Sequence, residues 1–318
     1  MTNKNPTSYD FIGDIHGCHD TLVSLLQALD YQYSDGCYRH ERRQAVFVGD
    51  FVDRGPHQIE VIDTVRAMVD AGQAHAVMGN HEFNAIAYVT EDKKYGGYLR
   101  AHTERNERNH WAFLEAMQAS PERYDELLEW FMTLPLWLDL GDVRAVHACW
   151  DRDGIAFLKE KYATDGLMTE ALLHAASDPE NPEFEIVENL LKGKTIKLAD
   201  GLSYQDSVGV TRHYMRVRWW DADATTYKAA FIGPPAALSH IEDDPIDGDH
   251  LIEYGHNEPP LFIGHYWMQG KPTPLSPNIA CVDYSIARRE IGKLCAYRWD
   301  GETELDAQKF VCVPRLEP

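Results

Sequence analysis

The chain has 318 residues, 44% of them hydrophobic, enough for one sizeable core or for a domain carrying a large insertion. With 51 acidic residues against 30 basic ones and a formal net charge of −21, its surface repels polyanions, which excludes a non-specific grip on long nucleic acids or anionic membranes. A small anionic substrate stays open, because a metal ion or an arginine inverts the field inside a cleft.

In chain order, "MTNKNPTSYD" has no apolar signal-peptide core, and no apolar run reaches membrane-spanning length. "YDFI" is predicted as a strand, followed by the helix "DTLVSLLQALDY" with Leu22, Val23, Leu25, Leu26 and Leu29 on one face. "AVFV" leads in the same way to "IEVIDTVRAMVDAG", apolar at Ile59, Ile62, Val65 and Val69 and closed by Gly72. "AHAVM" is a third strand. This β-α-β-α-β run predicts a parallel or mixed sheet covered by helices.

Residues 91–129 read as charged and helical, with Trp111 and Phe113 turned inward. "LPLWLDLGDVRAVHACW" predicts a hairpin around Gly141-Asp142. Residues 151–260 hold the loop-like tracts "SDPENPE", "FIGPP" and "IEDDPIDGDH". We expect them to form an insertion or cap within a single domain spanning 1–318, because strand patterns resume in "LFIGHY", "NIACVDY", "KLCAYRWD" and "KFVCV". The six cysteines, Cys18, Cys37, Cys149, Cys281, Cys295 and Cys312, form no C-x-x-C pair. They are expected to be reduced and buried, in a cytoplasmic protein.

Asp14, His16, Asp50, Asn80, His81, His147 and His265 each lie just past an apolar strand. Singly, each has an ordinary explanation: a helix cap, a turn residue at positive φ, a satisfied half-buried histidine. Jointly they do not, because the carboxyl ends of strands in an α/β sheet converge on one crevice. Carboxylates, imidazoles and an amide brought together suit a divalent metal such as Mn, Fe or Zn, and the absence of cysteine argues against a structural zinc knot.

"GDIHG", "GDFVDRG" and "GNHE", in this order, resemble the calcineurin-like metallophosphoesterase superfamily. The similarity is to the branch with PPP-type phosphoprotein phosphatases, diadenosine tetraphosphatases and the phosphatase domain of bacterial polynucleotide kinase-phosphatases. "VHAC" resembles that branch's V-H-A-G, "LFIGHY" its late Gly-His, and "NIACVDYS" its strand around Asp-Thr-Gly. Cys149 replaces the glycine, Tyr266 and Trp267 replace the Thr-Pro of the tetraphosphatases, and "DYS" replaces Asp-Thr-Gly. The match covers residues 8–150 and about 261–300.

The resemblance implies a four-layer α/β/β/α sandwich of two mixed sheets and a site for two divalent metal ions, Mn foremost, with Fe, Zn, Ni or Co as alternatives. It implies that Asp14, His16 and His265 hold one metal, that Asp50 bridges, and that Asn80 and His147 hold the other. His81 becomes the general acid, Asp53 the residue that sets its tautomer, and Arg54 a donor fork for phosphate oxygens. Asp283 is expected to orient a metal-binding histidine, and Glu82 to be structural. "HYMRVRWW" resembles the Arg-Met-Arg-Phe stretch of symmetrical diadenosine tetraphosphatases, with Arg216 and Arg218 on one strand face as candidate phosphate contacts. Of the aromatic residues Trp219, Trp220, Tyr266 and Trp267, the position of Trp267 beside His265 favours a base-stacking role. His102 and Arg105 are weaker candidates.

The expected reaction is metal-dependent hydrolysis of a nucleotide, dinucleoside polyphosphate or similar small phosphate ester. A Ser/Thr phosphoprotein phosphatase is the alternative, and a non-catalytic scaffold the third. No membrane partner and no long nucleic acid are expected, and the sequence names no protein partner.

Overall fold

The computed structural model describes residues 8–198, 202–205, 211–233, 235–241, 243–248 and 250–317. The chain opens with β1 (Tyr9–Ile12), α1 (His19–Ala28), the hairpin β2 (Gln32–Ser34) and β3 (Cys37–Arg39), β4 (Gln44–Phe47), α2 (Gln58–Asp70) and β5 (Ala74–Ala76). Helices α3 (Asn80–Val89), α4 (Glu104–Ala119) and α5 (Tyr124–Met132) follow, then β6 (Trp137–Asp139) and β7 (Arg144–Val146). The middle holds α6 (Arg152–Tyr162), α7 (Glu170–Ala176), α8 (Pro182–Lys192), β8 (Thr195–Lys197), β9 (Tyr204–Gln205), β10 (Thr211–Arg212), β11 (Tyr214–Val217), α9 (Tyr227–Ala230) and β12 (Phe231–Ile232). The chain ends with β13 (Leu261–Ile263), β14 (Ile279–Cys281), β15 (Asp283–Tyr284), β16 (Lys293–Trp299) and β17 (Phe310–Pro314).

Two mixed sheets result. One runs β15-β16-β1-β4-β5, with β17 on the free side of β16; β1, β4 and β5 are parallel. The other runs β14-β13-β7-β6, with β7, β13 and β14 parallel. The period-two alternation of each strand decides what lies between them. Tyr9, Phe11, Val46 and Val48 from the first sheet meet Ala145, Phe262, Ala280 and Val282 from the second in one buried cluster. Phe11 and Phe262 stack with ring centres 3.8 Å apart. Truncating a buried aromatic of this kind costs about 3–5 kcal/mol.

The residues in between, Ile12, Ala45 and Phe47, face outward into a larger cluster that takes in Leu22, Leu25 and Leu26 of α1 and Val61, Ile62 and Val65 of α2. The same cluster joins Val146, Leu261 and Ile263 to Ile155 and Leu158 of α6 and to Leu190 and Leu191 of α8. Helices thus cover both sheets, giving the α/β/β/α sandwich.

Several expectations are corrected. Trp111 is 55% exposed while Phe113 is fully buried. Residues two apart point to different sides of a helix, so both could not face inward. Residues 151–192, which carry loop-like tracts, form three helices that join the main core. From Leu198 to Ile241 the segment has its own small core around Met215, Val217 and Phe231.

Six reduced thiols are not what the fold holds. β16 and β17 pair antiparallel with Cys295 opposite Cys312, Cα atoms 4.1 Å apart, and the sulfurs are bonded. Spacing alone hides this pair, because strand register brings the two residues face to face. Cys18, Cys37, Cys149 and Cys281 are free and buried. The expectation of a cytoplasmic location therefore loses its thiol argument. Among the described residues no helix is long and apolar enough to cross a membrane.

Candidate metal centre and active site

The parallel strands of both sheets deliver their carboxyl ends to one crevice. Asp14 follows β1 through Gly13, Asp50 follows β4 through Val48-Gly49, His147 follows β7 directly, and His265 follows β13 through Gly264. Asn80 and His81 arrive differently, as the first residues of helix α3 with Gly79 as its N-cap. Close approach demands two of these glycines. A Cβ on Gly49 would lie 2.5 Å from the Gly79 nitrogen, and one on Gly264 would lie 2.2 Å from Asp14 Oδ1.

The backbone is unusual at the same places. His16, Asp50, Asp53, Arg54, His265 and Trp267 all have φ between 48° and 72°. Left-handed backbone at non-glycine residues costs of order 1–3 kcal/mol each and gathers at functional sites. Glu82 helps to hold it: its carboxylate accepts the N–H groups of Asp50 (2.9 Å), Phe51 (2.8 Å) and Gly79 (2.9 Å), tying the Asp50 loop to the start of α3.

Asp50 is the centre of the geometry. Its Oδ1 accepts the His81 N–H at 3.0 Å. Its Oδ2 faces His147 Nε2 (3.4 Å), His16 Nε2 (3.8 Å) and His81 Nε2 (3.9 Å). Two sets of side chains can each bring three ligand atoms within 4.8 Å of one another: His16, Asp50 and His81, and Asp50, His147 and His265. Asn80 Oδ1 lies 3.2 Å from His147 Nε2.

Backbone carbonyls choose the tautomers. His16 Nδ1 donates to Val52 O at 2.9 Å and His147 Nδ1 to Val48 O at 2.6 Å, so both Nε2 atoms face inward. His147 Nε2 lies against two acceptor oxygens, from Asn80 and Asp50, and Asp50 outweighs burial to raise the ring above its ordinary value, so in the metal-free fold a proton fills the place a metal would take. His16 Nε2 and both ring nitrogens of His265 are buried without a hydrogen-bond partner among the described residues. A cation would satisfy the unprotonated nitrogen of each of these rings.

The charges call for the same remedy. Burial, with Asp283 and Asp50 nearby, pushes the Asp14 carboxyl well above its usual range. Burial pushes Glu82 up to about 7, with Asp50 adding to it, and Asp283 up to about 6. Burial opposes ionisation of Asp50 too, but the surrounding imidazoles, His147 first, outweigh it and hold it low. Burial and then His81 lower His16 to about 4; burial and then Arg216 lower His265. A donor set of buried carboxylates and bare imidazole nitrogens fits divalent metal ions.

Two sequence assignments change. His265 was grouped with Asp14 and His16, but its ring stands beside His147, ring centres 5.2 Å apart, while only its backbone N–H reaches Asp14 (3.1 Å). Asp283 was expected to orient a histidine ring. Its oxygens instead accept the backbone N–H groups of Trp267 (2.6 Å) and Ser285 (2.9 Å), so it shapes the loop that carries His265.

Beside the metal cluster, His81 Nδ1 and Asp53 Oδ2 are 2.5 Å apart. The other oxygen of Asp53 accepts from His110 Nδ1 at 2.9 Å. Burial alone would raise the Asp53 carboxyl; the bonds from His110 and His81 outweigh it and hold it below the carboxylate range. The sequence reading missed His110. Its signal was a histidine in register with Phe113 and Met117 on the buried face of α4, where an apolar residue is expected.

Arg54 is exposed, its guanidinium carbon 5.7 Å from the centre of the Trp267 ring, and Arg288 lies at the same distance from that ring. Arg216, on β11, is half-buried, its Nε without a partner among the described residues and its guanidinium 6.0 Å from the Tyr266 ring centre. Its charge reaches His265. Arg218 lies beyond the strand end and is exposed, so the structure does not bring the two arginines together as a pair. Trp219 and Tyr266 are core residues, joined by a 2.9 Å bond from Trp219 Nε1 to Tyr266 Oη. His102 is stacked between Tyr88 and Tyr98, and its Nε2 bonds Tyr88 O. Arg105 is exposed on α4.

The chain is similar to several known proteins. An asymmetrical bis(5'-nucleosyl)-tetraphosphatase PrpE from Halalkalibacterium halodurans is 50% identical over 74 residues, 23% of this chain and 30% of that protein. The PrpE of Anoxybacillus flavithermus is 34% identical over 145 residues, 44% of this chain and 56% of that one. The chain thus spans less than two thirds of the length of these relatives. Among solved structures, a protein serine/threonine phosphatase from Saccharomyces cerevisiae matches with a TM-score of 0.49 at 15% identity, covering 99% of this chain and 82% of that one. A cold-active protein-tyrosine phosphatase from a Shewanella species matches with 0.47 at 19%, covering 93% and 78%. The family model for calcineurin-like phosphoesterases matches residues 8–217, more than half of the chain and further into the middle segment than the sequence motifs reach. The chain belongs to the calcineurin-like phosphoesterase family.

Proposed function

We propose that the protein hydrolyses phosphate esters or anhydrides of small nucleotide-like molecules, dinucleoside polyphosphates foremost, with two divalent metal ions, Mn foremost. The observation that carries this is the convergence of two buried ligand sets on the shared carboxylate of Asp50. Asp14, His16 and Asp50 would hold one ion, and Asp50, Asn80, His147 and His265 the other. Such ions supply Lewis-acid polarisation of phosphoryl oxygens and lower the pKa of water.

The chain's own residues do the rest. Arg54 and Arg216 hold phosphate oxygens, since both present guanidinium groups without a salt bridge among the described residues. His81, held by Asp53, gives its Nε2 proton to the leaving oxygen. Trp267, beside Arg54, offers a face for a base. Residues 151–260 act as a cap within one domain of 1–318, because Arg216 and Trp219 reach from that segment to His265 and Tyr266. The small-substrate reading rests on the relatives' tetraphosphatase activity and on the walled position of Arg216. We place the protein with such substrates in the cytoplasm.

A substrate panel tests this. Metal-stripped protein reloaded with Mn²⁺ is assayed on p-nitrophenyl phosphate, bis-p-nitrophenyl phosphate, diadenosine tetraphosphate and a phosphothreonine peptide, with H81A as control. The dinucleotide is expected to have the highest kcat/KM. Preference for the peptide assigns the protein to Ser/Thr dephosphorylation instead. Bound metal with no turnover of any substrate overturns the catalytic reading.

A further inference from the structure

His110 is outside the residues that the family motifs mark, yet it completes a chain His81–Asp53–His110. It comes from α4, in the segment between the "GNHE" helix and the β6–β7 hairpin. It is 2% exposed, and its ring packs near Tyr88 and Phe113, with centres 5.6 Å and 5.1 Å away. On that apolar helix face a leucine would pack at no polar cost, whereas a buried imidazole is costly unless it is hydrogen-bonded. The bond it makes is to Asp53 Oδ1 at 2.9 Å. Its Nε2 has no partner among the described residues, so the histidine is under-used as a structural link and its contact with Asp53 is what accounts for it.

The consequence is geometric. Among the described residues, Asp53 has two side-chain partners, one histidine on each oxygen. With Oδ1 held by His110 the carboxylate cannot turn about its Cβ–Cγ bond, and Oδ2 stays in the plane that fixes the His81 ring. The opposite nitrogen of that ring then points at the Asp50 side of the crevice, 3.9 Å from Asp50 Oδ2. We propose that His110 is a positioning residue for leaving-group protonation, acting through Asp53 on the orientation of His81. This rests on the phosphoesterase reading above. In that reaction water forms a new P–O bond and loses a proton to solvent, which later restores the proton that His81 gives up, and the bond to the leaving oxygen breaks with its electron pair. That oxygen takes the proton from His81 Nε2. His110 touches none of the reacting atoms.

The test uses two leaving groups. Phenyl phosphate expels a poor leaving group that needs the proton, and 2,4-dinitrophenyl phosphate expels one that does not. In the Mn²⁺-loaded protein, H110F is expected to lower kcat on phenyl phosphate roughly 10–100-fold, a fraction of the full general-acid effect. On the dinitrophenyl ester kcat is expected to stay within about threefold, with KM within about twofold on both and metal content unchanged. H110N, whose amide can donate to Asp53 Oδ1, is expected to recover most of the loss. If H110F does not fold, H110L, which suits the apolar face of α4, gives the same comparison. Equal losses on both esters, or H110N no better than the apolar variants, overturns the role of His110 alone. A metal-loaded wild-type protein that turns over neither ester and none of the substrates of the panel above overturns the phosphoesterase reading and this proposal with it.

Discussion

The crevice at the strand ends and the segment from 151 to 260 solve the placement of functional groups in different ways. In the crevice, short buried strands end in a glycine or a left-handed residue, and the next side chain has nowhere to go but into the site. The main determinants lie within a few residues of one another. In the middle segment Arg216 owes its position to a three-stranded sheet, β12-β11-β8, with its own small core, and to the buried Trp219–Tyr266 bond beneath it. The determinants there are spread along the chain. A polar residue at a strand exit can therefore be found by motif, whereas one on a cap strand needs the packing around it.

The sharpest way to break this comparison is at the crevice. D50A removes the shared ligand, and both activity and stoichiometric metal binding are expected to be lost, measured by turnover and by elemental analysis. H81A is expected to lower turnover of a poor leaving group by about 10²–10⁴-fold while two metals stay bound. Loss of one metal would instead make His81 a ligand, in keeping with its place near His16 and Asp50.

The middle segment should respond through binding. R216M removes a charge-assisted contact of about 1.5–3 kcal/mol, so kcat/KM on the preferred substrate is expected to fall roughly 10–100-fold. R218M is expected to change it less than about twofold, consistent with the ordinary tolerance of exposed sites. Equal effects at the two positions would mean that the cap binds phosphate through a broad field and that Arg216 has no special position.

Metal affinity should also depend on pH, with a sign set by the carboxylates. In the metal-free fold burial pushes Asp14 well above its usual range, and Asp50 outweighs burial to raise His147, so a proton held by either ligand is one that a bound metal has to displace. As pH rises from 5.5 to 7.5 the competition weakens and affinity for Mn²⁺ increases. His16, lowered to about 4, is already neutral across this window and adds nothing. Calorimetry at pH 5.5 and 7.5 in buffers of different ionisation enthalpy measures the released protons. No pH dependence would contradict the buried-carboxylate account. The smallest effect on activity is expected from C312A. Losing the β16–β17 crosslink typically costs about 2–4 kcal/mol of stability, and turnover at low temperature should be unchanged.

Residue by residue, legibility followed the same division. Asp14, His16, Asp50 and Asn80 stand out in the sequence because each lies beside a glycine just past an apolar strand, and His147 because it directly follows one. His265 was found but grouped with the wrong neighbours. Its backbone leans on Asp14 while its left-handed φ of 67° turns the ring toward His147. His110 went unseen, because one histidine among apolar helix residues resembles an ordinary core position until Asp53 is placed against it. The Cys295–Cys312 bond was misread because cysteine spacing carries no information about strand register.

The sequence by itself determined the layered α/β architecture, the strand exits and the chemical class of the donor set, since alternation, glycine punctuation and polar residue type are local properties. Only the tertiary structure decided which imidazole faces which carboxylate, that Arg216 is half-buried beside the Tyr266 ring while Arg218 is exposed beyond the strand end, and that a helix from outside the motifs supplies a second histidine to Asp53. Those relations join residues tens to hundreds of positions apart, and they exist only once two sheets have packed and fixed the distances between their ends.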